Sequence, residues 1–195
     1  MDVTRIGLEA WREALPATGY EVFHDPDALA VLDDHTDAEV QLYGAYKGEQ
    51  AVGLLPVFVS ERPIGRTVLS PPTSFSVPRL GPIISPNSPK RHKRERINQE
   101  LAEAVIETLG LDTRTTLFRM SCPIGYTDPR PYAWQDLSVT PRFTYVIDLE
   151  DASVESVVQR FSKSLRREMR KRDDLDLSIE TEGIDAAMRV YQDVV

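Results

Sequence analysis

The sequence predicts an α/β (α+β) fold: a mixed, largely antiparallel sheet with helices on its faces. Three observations carry this expectation. Apolar residues recur with period two on both sides of a Lys47-Gly48-Glu49-Gln50 turn, which gives a β-hairpin of Val40–Tyr46 and Ala51–Ser60. Helical periodicity comes in single segments, the clearest being Ile97, Leu101, Ala104, Val105, Thr108 and Leu109. The two kinds of segment are interleaved along the chain, the pattern of a sheet covered by helices.

In chain order, the first fifteen residues read as an amphipathic helix. Leu8, Trp11 and Leu15 share its apolar face, and Pro16 with Gly19 closes it. Tyr20–His24 reads as a short strand. Asp25-Pro26 then supplies an N-cap and an N1 proline for a helix through Leu29 and Leu32. After the hairpin, a Pro- and Gly-rich segment from Arg62 to Pro89 is expected to be loop, with short strands at Arg66–Ser70 and Leu80–Ser85. Ser88-Pro89 is the expected cap of the next helix and Gly110 its end. Thr115–Cys122 reads as a strand, and Asp128-Pro129 starts a short helical turn around Tyr132 and Trp134.

The stretch from Arg142 to Arg172 opens as a strand, Phe143–Leu149, rich in aromatic and β-branched residues. It continues as one long helix capped by Asp151 or Ser153, with Val154, Val157, Val158, Phe161, Leu165 and Met169 as its apolar stripe. Leu175–Glu182 alternates as a further strand. Ile184, Ala187, Met188, Tyr191, Val194 and Val195 begin a helix without a stop signal, so the pattern is expected to be cut short there.

Composition narrows the function classes. Hydrophobic content of 41% and charged content of 28% are those of a soluble globular chain. A net charge of −8 argues against the whole surface being a nucleic-acid platform, while leaving room for a local basic patch. One cysteine, Cys122, excludes an intramolecular disulfide and any multi-cysteine zinc site, and its strand-like surroundings suit a buried, inert thiol. No window approaches the ~18 apolar residues that span a bilayer, and the N-terminus has no apolar signal core. A cytoplasmic protein with no membrane partner is expected.

Two basic clusters stand out against that acidic background. The long helix carries Arg160, Lys163, Arg166, Arg167, Arg170, Lys171 and Arg172 opposite its apolar stripe. Such a face is either solvated or a docking surface for phosphates and carboxylates. Lys90, Arg91, His92, Lys93, Arg94 and Arg96 crowd the start of another helix, where the macrodipole is already positive. That placement disfavours the helix and favours an anion, so Arg91 and Arg94 join Arg166, Arg167, Arg170 and Lys171 as candidate anion-binding residues. The proline-restrained loop Ser70–Pro82 offers Phe75 and Arg79 as candidate pocket walls, and Tyr132 and Trp134 offer flat rings for stacking, though both rings equally suit a core. His24, His35 and nearby aspartates can be drawn as a metal cluster, but the acids are better explained as caps and surface charge, and no metal is expected. GxxxxGK, GxGxxG, GxSxG and HExxH are all absent from the sequence, and no catalytic residue can be named.

Pro131-Tyr132-Ala-Trp134, the run Arg142–Leu149 and the run Phe161–Lys171 together resemble the FemAB-like and BioF2-like branch of the GNAT acyltransferase superfamily. The hairpin with Gly53-Leu-Leu-Pro56 resembles the central strand pair of its first domain. The resemblance implies a GNAT-like domain over 1–149, a basic linker helix over 150–173, and the beginning of a second GNAT-like domain over 174–195. It also implies transfer of an acyl or aminoacyl group to a small-molecule or peptide amine. The donor would be acyl-CoA or an aminoacyl-tRNA. The GNAT pyrophosphate loop, Arg/Gln-x-x-Gly-x-Gly/Ala, has no counterpart in the first domain. Two other readings stand beside this one: a non-catalytic module that binds RNA or another polyanion, and a pseudo-GNAT domain that dimerises.

Overall fold

In the computed structural model, residues 1–85, 90–147, 149, 152–171 and 183–194 are described here. The chain divides into two compact units, Met1–Thr140 and Pro141–Val195.

The first unit is the expected mixed sheet. Its elements are β1 (Asp2–Ile6), α1 (Leu8–Ala14), a 3-10 turn at Val22–His24, α2 (Pro26–Asp34), β2 (Glu39–Lys47), β3 (Gln50–Glu61), β4 (Arg66–Ser70), β5 (Ile83–Ile84), α3 (Arg91–Leu109), β6 (Thr116–Met120) and α4 (Arg130–Ala133). Strand order is β1-β2-β3-β4-β6, with β5 also paired to β3. Every pairing is antiparallel except β4 with β6, which run parallel from Arg66↔Thr116 to Ser70↔Met120. A parallel pair needs a crossover, and α3 supplies it.

Period two along β2 and β3 sends alternate side chains to opposite faces. Tyr43, Ala45, Leu55, Val57 and Val59 pack with Leu101, Ala102, Val105, Ile106 and Leu109 of α3 on one face. Leu42 and Leu54 meet Trp11 of α1 and Leu29 of α2 on the other, and Phe58 meets Leu32 there. Gly53 lies directly beneath α3: a Cβ there would stand 2.9 Å from a Leu101 methyl, so its missing side chain lets helix and sheet close.

Several expectations are corrected. The N-terminal residues form β1, not the start of a helix, because Val3, Thr4 and Ile6 add to the β2 edge in the register Asp2↔Tyr46 to Ile6↔Leu42. The expected strand Tyr20–His24 is a 3-10 turn, closed by a reciprocal capping box in which Glu21 and His24 each bond the other's backbone. The expected Leu80–Ser85 strand shrinks to Ile83–Ile84, since Gly81 sits at φ +65° and Pro82 has no N–H to give. The cap of α3 expected at Ser88-Pro89 lies outside the described residues; Lys90 is the N-cap and provides no side-chain cap bond. Gly110 ends α3 in the left-handed region, at φ 51°.

The second unit contains α5 (Val154–Gln159), α6 (Lys163–Lys171) and α7 (Ile184–Val194). The expected long helix is therefore two. Ser162 breaks it, because its hydroxyl accepts the Leu165 N–H at 3.2 Å and starts α6 as a side-chain cap. Ser153, whose hydroxyl accepts the Ser156 N–H, caps α5 as expected, and Asp151 lies outside the described residues. The described part of Phe143–Leu149 is not a strand. Among the described residues its backbone has no partner strand, and Tyr145 is fully exposed. The expected strand Leu175–Glu182 and the basic residue Arg172 lie outside the described residues.

Candidate functional site

In a parallel strand pair, the loops leaving the carboxyl ends form the natural crevice. Here those loops are residues 71–82 after β4 and 121–129 after β6, and the first turn of α3 lies on the same side. Ser70, fully buried, ties the two exits together. Its hydroxyl donates to the Pro56 carbonyl at 2.7 Å and accepts the Gly81 N–H at 2.9 Å, while its carbonyl accepts the Ser121 N–H at 2.7 Å. The Ser121 carbonyl in turn accepts the Leu80 N–H at 2.9 Å. The loop that leaves the sheet at Ser70 is thus brought back beside its own exit.

A polar hinge holds the returning end of that loop. Glu21 Oε1 accepts both the Arg79 Nε–H, at 3.1 Å, and the Ile124 N–H, at 3.0 Å, so one carboxylate joins the two loops. Burial works against its ionisation, but the Ile124 amide and the Arg79 guanidinium outweigh that and hold the carboxyl below the usual range. His24, fully buried, lies 3.1 Å from the Gly81 carbonyl through Nε2 and accepts the Glu21 N–H through Nδ1 at 3.2 Å. Burial pushes the imidazole below its ordinary value despite the Gly81, Glu21 and Leu80 backbone near it.

The other half of the site joins α3 to α4. Asn98 on α3 donates to the Asp128 carbonyl at 2.8 Å and accepts the Tyr126 hydroxyl at 2.6 Å. Arg130 grips Asp128 through Nε and Nη2, at 2.6 and 2.7 Å, and reaches Glu95 of α3 at 3.1 Å. The Tyr126 and Tyr132 rings stand 6.2 Å apart at 53°. Tyr132 is buried, and its hydroxyl has no hydrogen-bond partner among the described residues. Burial and neighbouring groups raise the pKa of both phenols, so Tyr132 stays a proton donor at all ordinary pH values. Cys122 is pushed up to about 12 by burial, which makes it a neutral thiol and not a nucleophile.

The structure places the remaining sequence candidates as follows. Arg91 pairs with Glu95 at 3.1 Å, and Glu95 is shared with Arg130; α3 and α4 are thereby brought together. Arg94 is exposed and has no ion-pair partner among the described residues. Tyr132 belongs to the core, whereas Trp134 is exposed and carries the Arg130 guanidinium over its ring at 5.7 Å. Phe75 is half-buried against Phe58, Val77 and Leu80, and Arg79 is committed to Glu21. In the second unit, Arg167 and Lys171 pair with Glu168 at 3.5 and 2.9 Å, while Arg166 and Arg170 have no such partner among the described residues. No group of three metal-ligating side chains occurs among the described residues, and no described helix is long and apolar enough to cross a membrane.

Sequence reasoning missed Glu21 and Asn98. Glu21 carries no local signal and looks like any surface acid. Asn98 did leave one: it is an amide set within the buried face of α3, between Ile97 and Leu101.

No protein-family model matches the chain, and no curated protein matches it in sequence. Among solved structures, it is similar to a ribosomal-protein-alanine N-acetyltransferase from Brucella melitensis biovar Abortus 2308. That match has 16% identity over 76% of this chain and 100% of the other, with a TM-score of 0.39. It is also similar to the aminoglycoside N-acetyltransferase AAC(6')-Iy in complex with CoA, with 15% identity over 76% of this chain and 94% of the other and a TM-score of 0.32. At these scores the likeness assigns no family.

Proposed function

We propose that this chain belongs to an N-acyltransferase of the GNAT kind, in its FemAB-like branch, which passes an acyl group from acyl-CoA to an amine. The observation that carries the reading is the parallel β4/β6 pair at the end of an antiparallel meander, with the cation-rich first turn of α3 at its carboxyl ends. The residues there suit the phosphates of acyl-CoA. The first turn of α3 contains no acid, its N-cap residue adds no side-chain cap, and Arg91, Lys93 and Arg94 surround its positive end. Acyl-CoA, when bound, supplies the activated thioester.

The chain's own residues do the positioning. Arg91 and Arg94 hold phosphate oxygens, the Glu21–Arg79 pair fixes the loop 71–82, and the Asn98–Asp128–Arg130 group fixes α4 against α3. Tyr132, buried in the core, braces α4 from behind this group.

The test is titration of the full chain with CoA, followed by acetyl transfer to a panel of amines. Arg91→Ala with Arg94→Ala is expected to weaken CoA binding by about 5- to 30-fold, roughly 1–2 kcal/mol, and to flatten its salt dependence. CoA binding that ignores both substitutions, or no saturable CoA binding at all, overturns the reading. A second reading rests on α6, where Arg166 and Arg170 stand one helical turn apart without acidic partners among the described residues. It makes the second unit a polyanion-binding face, and a steep salt slope for RNA binding without turnover would favour it.

A further inference from the structure

At the opposite end of β4 and β6 from the α3 first turn, two short connections meet. They are the β3–β4 turn, residues 62–65, and the α3–β6 loop, residues 110–115. Gly65, at φ +80°, lets them touch: any Cβ there would drive into the Thr115 carbonyl. The Arg62 N–H closes the first turn on the Gly65 carbonyl at 2.9 Å, and the Arg66 N–H staples it to the second on the Thr115 carbonyl at 2.8 Å. Thr113 and Thr116 share a hydroxyl hydrogen bond at 2.7 Å beside it.

A groove of about 390 Å³ runs along this junction, lined by three arginines, three threonines, Ile64 and Leu117. That volume is in the range of small-molecule sites. Arg66 is a wall, since its guanidinium donates to the Leu109 carbonyl and to Thr116. Arg62 and Arg114 are not spent in this way. Neither has an ion-pair partner among the described residues, although Glu61 and Asp112 are close in sequence and the chain as a whole is acidic. Beside these two cations, Ile64 is 87% exposed and Leu117 66% exposed, so a polar and an apolar edge lie in one groove.

We propose that this groove binds a small organic phosphate, distinct from any ligand at the α3 first turn. The Arg62 and Arg114 guanidiniums take the phosphate oxygens as charge-assisted donors, and the Thr67 and Thr115 hydroxyls complete the set, Thr116 being committed to Thr113 and Arg66. Ile64 and Leu117 cover the carbon part of the ligand. Two guanidiniums favour a dianionic monoester over a diester, and the apolar edge favours an ester over free phosphate.

The experiment is an amide NMR titration of the full chain with phenyl phosphate, inorganic phosphate and phenol at physiological ionic strength. Phenyl phosphate is expected to give saturable shifts centred on residues 62–67 and 114–117. Inorganic phosphate should bind at least about 5-fold more weakly, and phenol should leave those amides unmoved. Arg62→Ala with Arg114→Ala, both at exposed positions, should weaken phenyl phosphate at least about 10-fold, whereas Arg91→Ala with Arg94→Ala should leave it unchanged. The second pair separates failure of this proposal from failure of the acyl-CoA reading. Absence of saturable shifts at these amides, phenyl phosphate affinity indifferent to the Arg62 and Arg114 substitutions, or equal loss in both double variants would each overturn it.

Discussion

Acidification below neutral pH is expected to destabilise the first unit through one residue, His24. The Gly81 carbonyl can only accept, so Nε2 carries the imidazole proton and the Nδ1 lone pair takes the Glu21 N–H. A second proton on Nδ1 would displace the Glu21 N–H bond, and the Glu21 carbonyl, 3.2 Å away, does not offset the cost of a charged imidazole in a fully buried site. Burial accordingly lowers the pKa of His24 in the folded chain. Between that lowered value and the unfolded value of about 6.5, the unfolded chain binds a proton that the folded one refuses. Stability is therefore intact above about pH 6.5 and falls below it, by up to ~1.4 kcal/mol per pH unit, until the folded pKa is reached. The described carboxylates with lowered pKa values, Glu21, Glu39, Glu95, Glu100 and Asp128, lose their contributions only as pH falls through and below the ordinary carboxylate range of about 4, so they leave the window between about pH 6.5 and 5 to His24. Tryptophan emission reports the event, because buried Trp11 donates its indole N–H to the His24 carbonyl at 2.9 Å. Urea midpoints at pH 7.5, 6.5 and 5.5 should fall for the wild type. In His24→Gln, which keeps an amide donor for Gly81 but cannot titrate, they should start lower by roughly 1–2 kcal/mol and stay level. A level wild-type profile, or an equal slope in both proteins, refutes the reasoning. The same protonation should loosen the loop that Gly81 anchors.

Three further outcomes follow from the packing around the site. Gly81→Ala places a Cβ 2.9 Å from the Cys122 Cα and 3.2 Å from the Ser121 carbonyl at a backbone φ of +65°. Since backbone cannot step aside, a loss of about 2–4 kcal/mol is expected by urea unfolding, and a loss under ~0.5 kcal/mol would contradict the contact. Tyr132→Phe removes a buried hydroxyl with no partner among the described residues, so stability should hold or rise by about 1 kcal/mol. A stability loss above ~2 kcal/mol would mean that the hydroxyl has a structural partner after all. Cys122, with its thiol near 12, should react with iodoacetamide at pH 8 at least ~100-fold more slowly in the native chain than in urea, and equal rates would show that it is not buried.

The parts of this fold legible in the sequence are those whose partners are near in the chain. The hairpin of β2 and β3 carries its alternation, and its turn carries Gly48 at φ +66°, so strand, turn and register are all local. The stripe of α3 and its Gly110 stop are local too. β1 was hidden because its five residues run straight into the Trp11 helix, and the strand that makes them β lies beyond that helix, the 3-10 turn and α2. Phe143–Leu149 is the converse. Its residues have every strand propensity, but propensity supplies no partner edge, and the described residues of the segment stay irregular.

The site divides along the same line. The basic first turn of α3 was visible because positive charge at a helix start works against the helix unless an anion shares it. Glu21, by contrast, acquires its role from Ile124, 103 residues away, and Asn98 from Asp128, 30 residues away. An amide on a buried helix face has to find such a distant partner, because leaving it unpaired costs more than an apolar residue would. A lone polar residue inside an apolar stripe is thus a local sign of a long-range tie. In this chain that sign marks the place where α3 is locked to the loop bearing Tyr126.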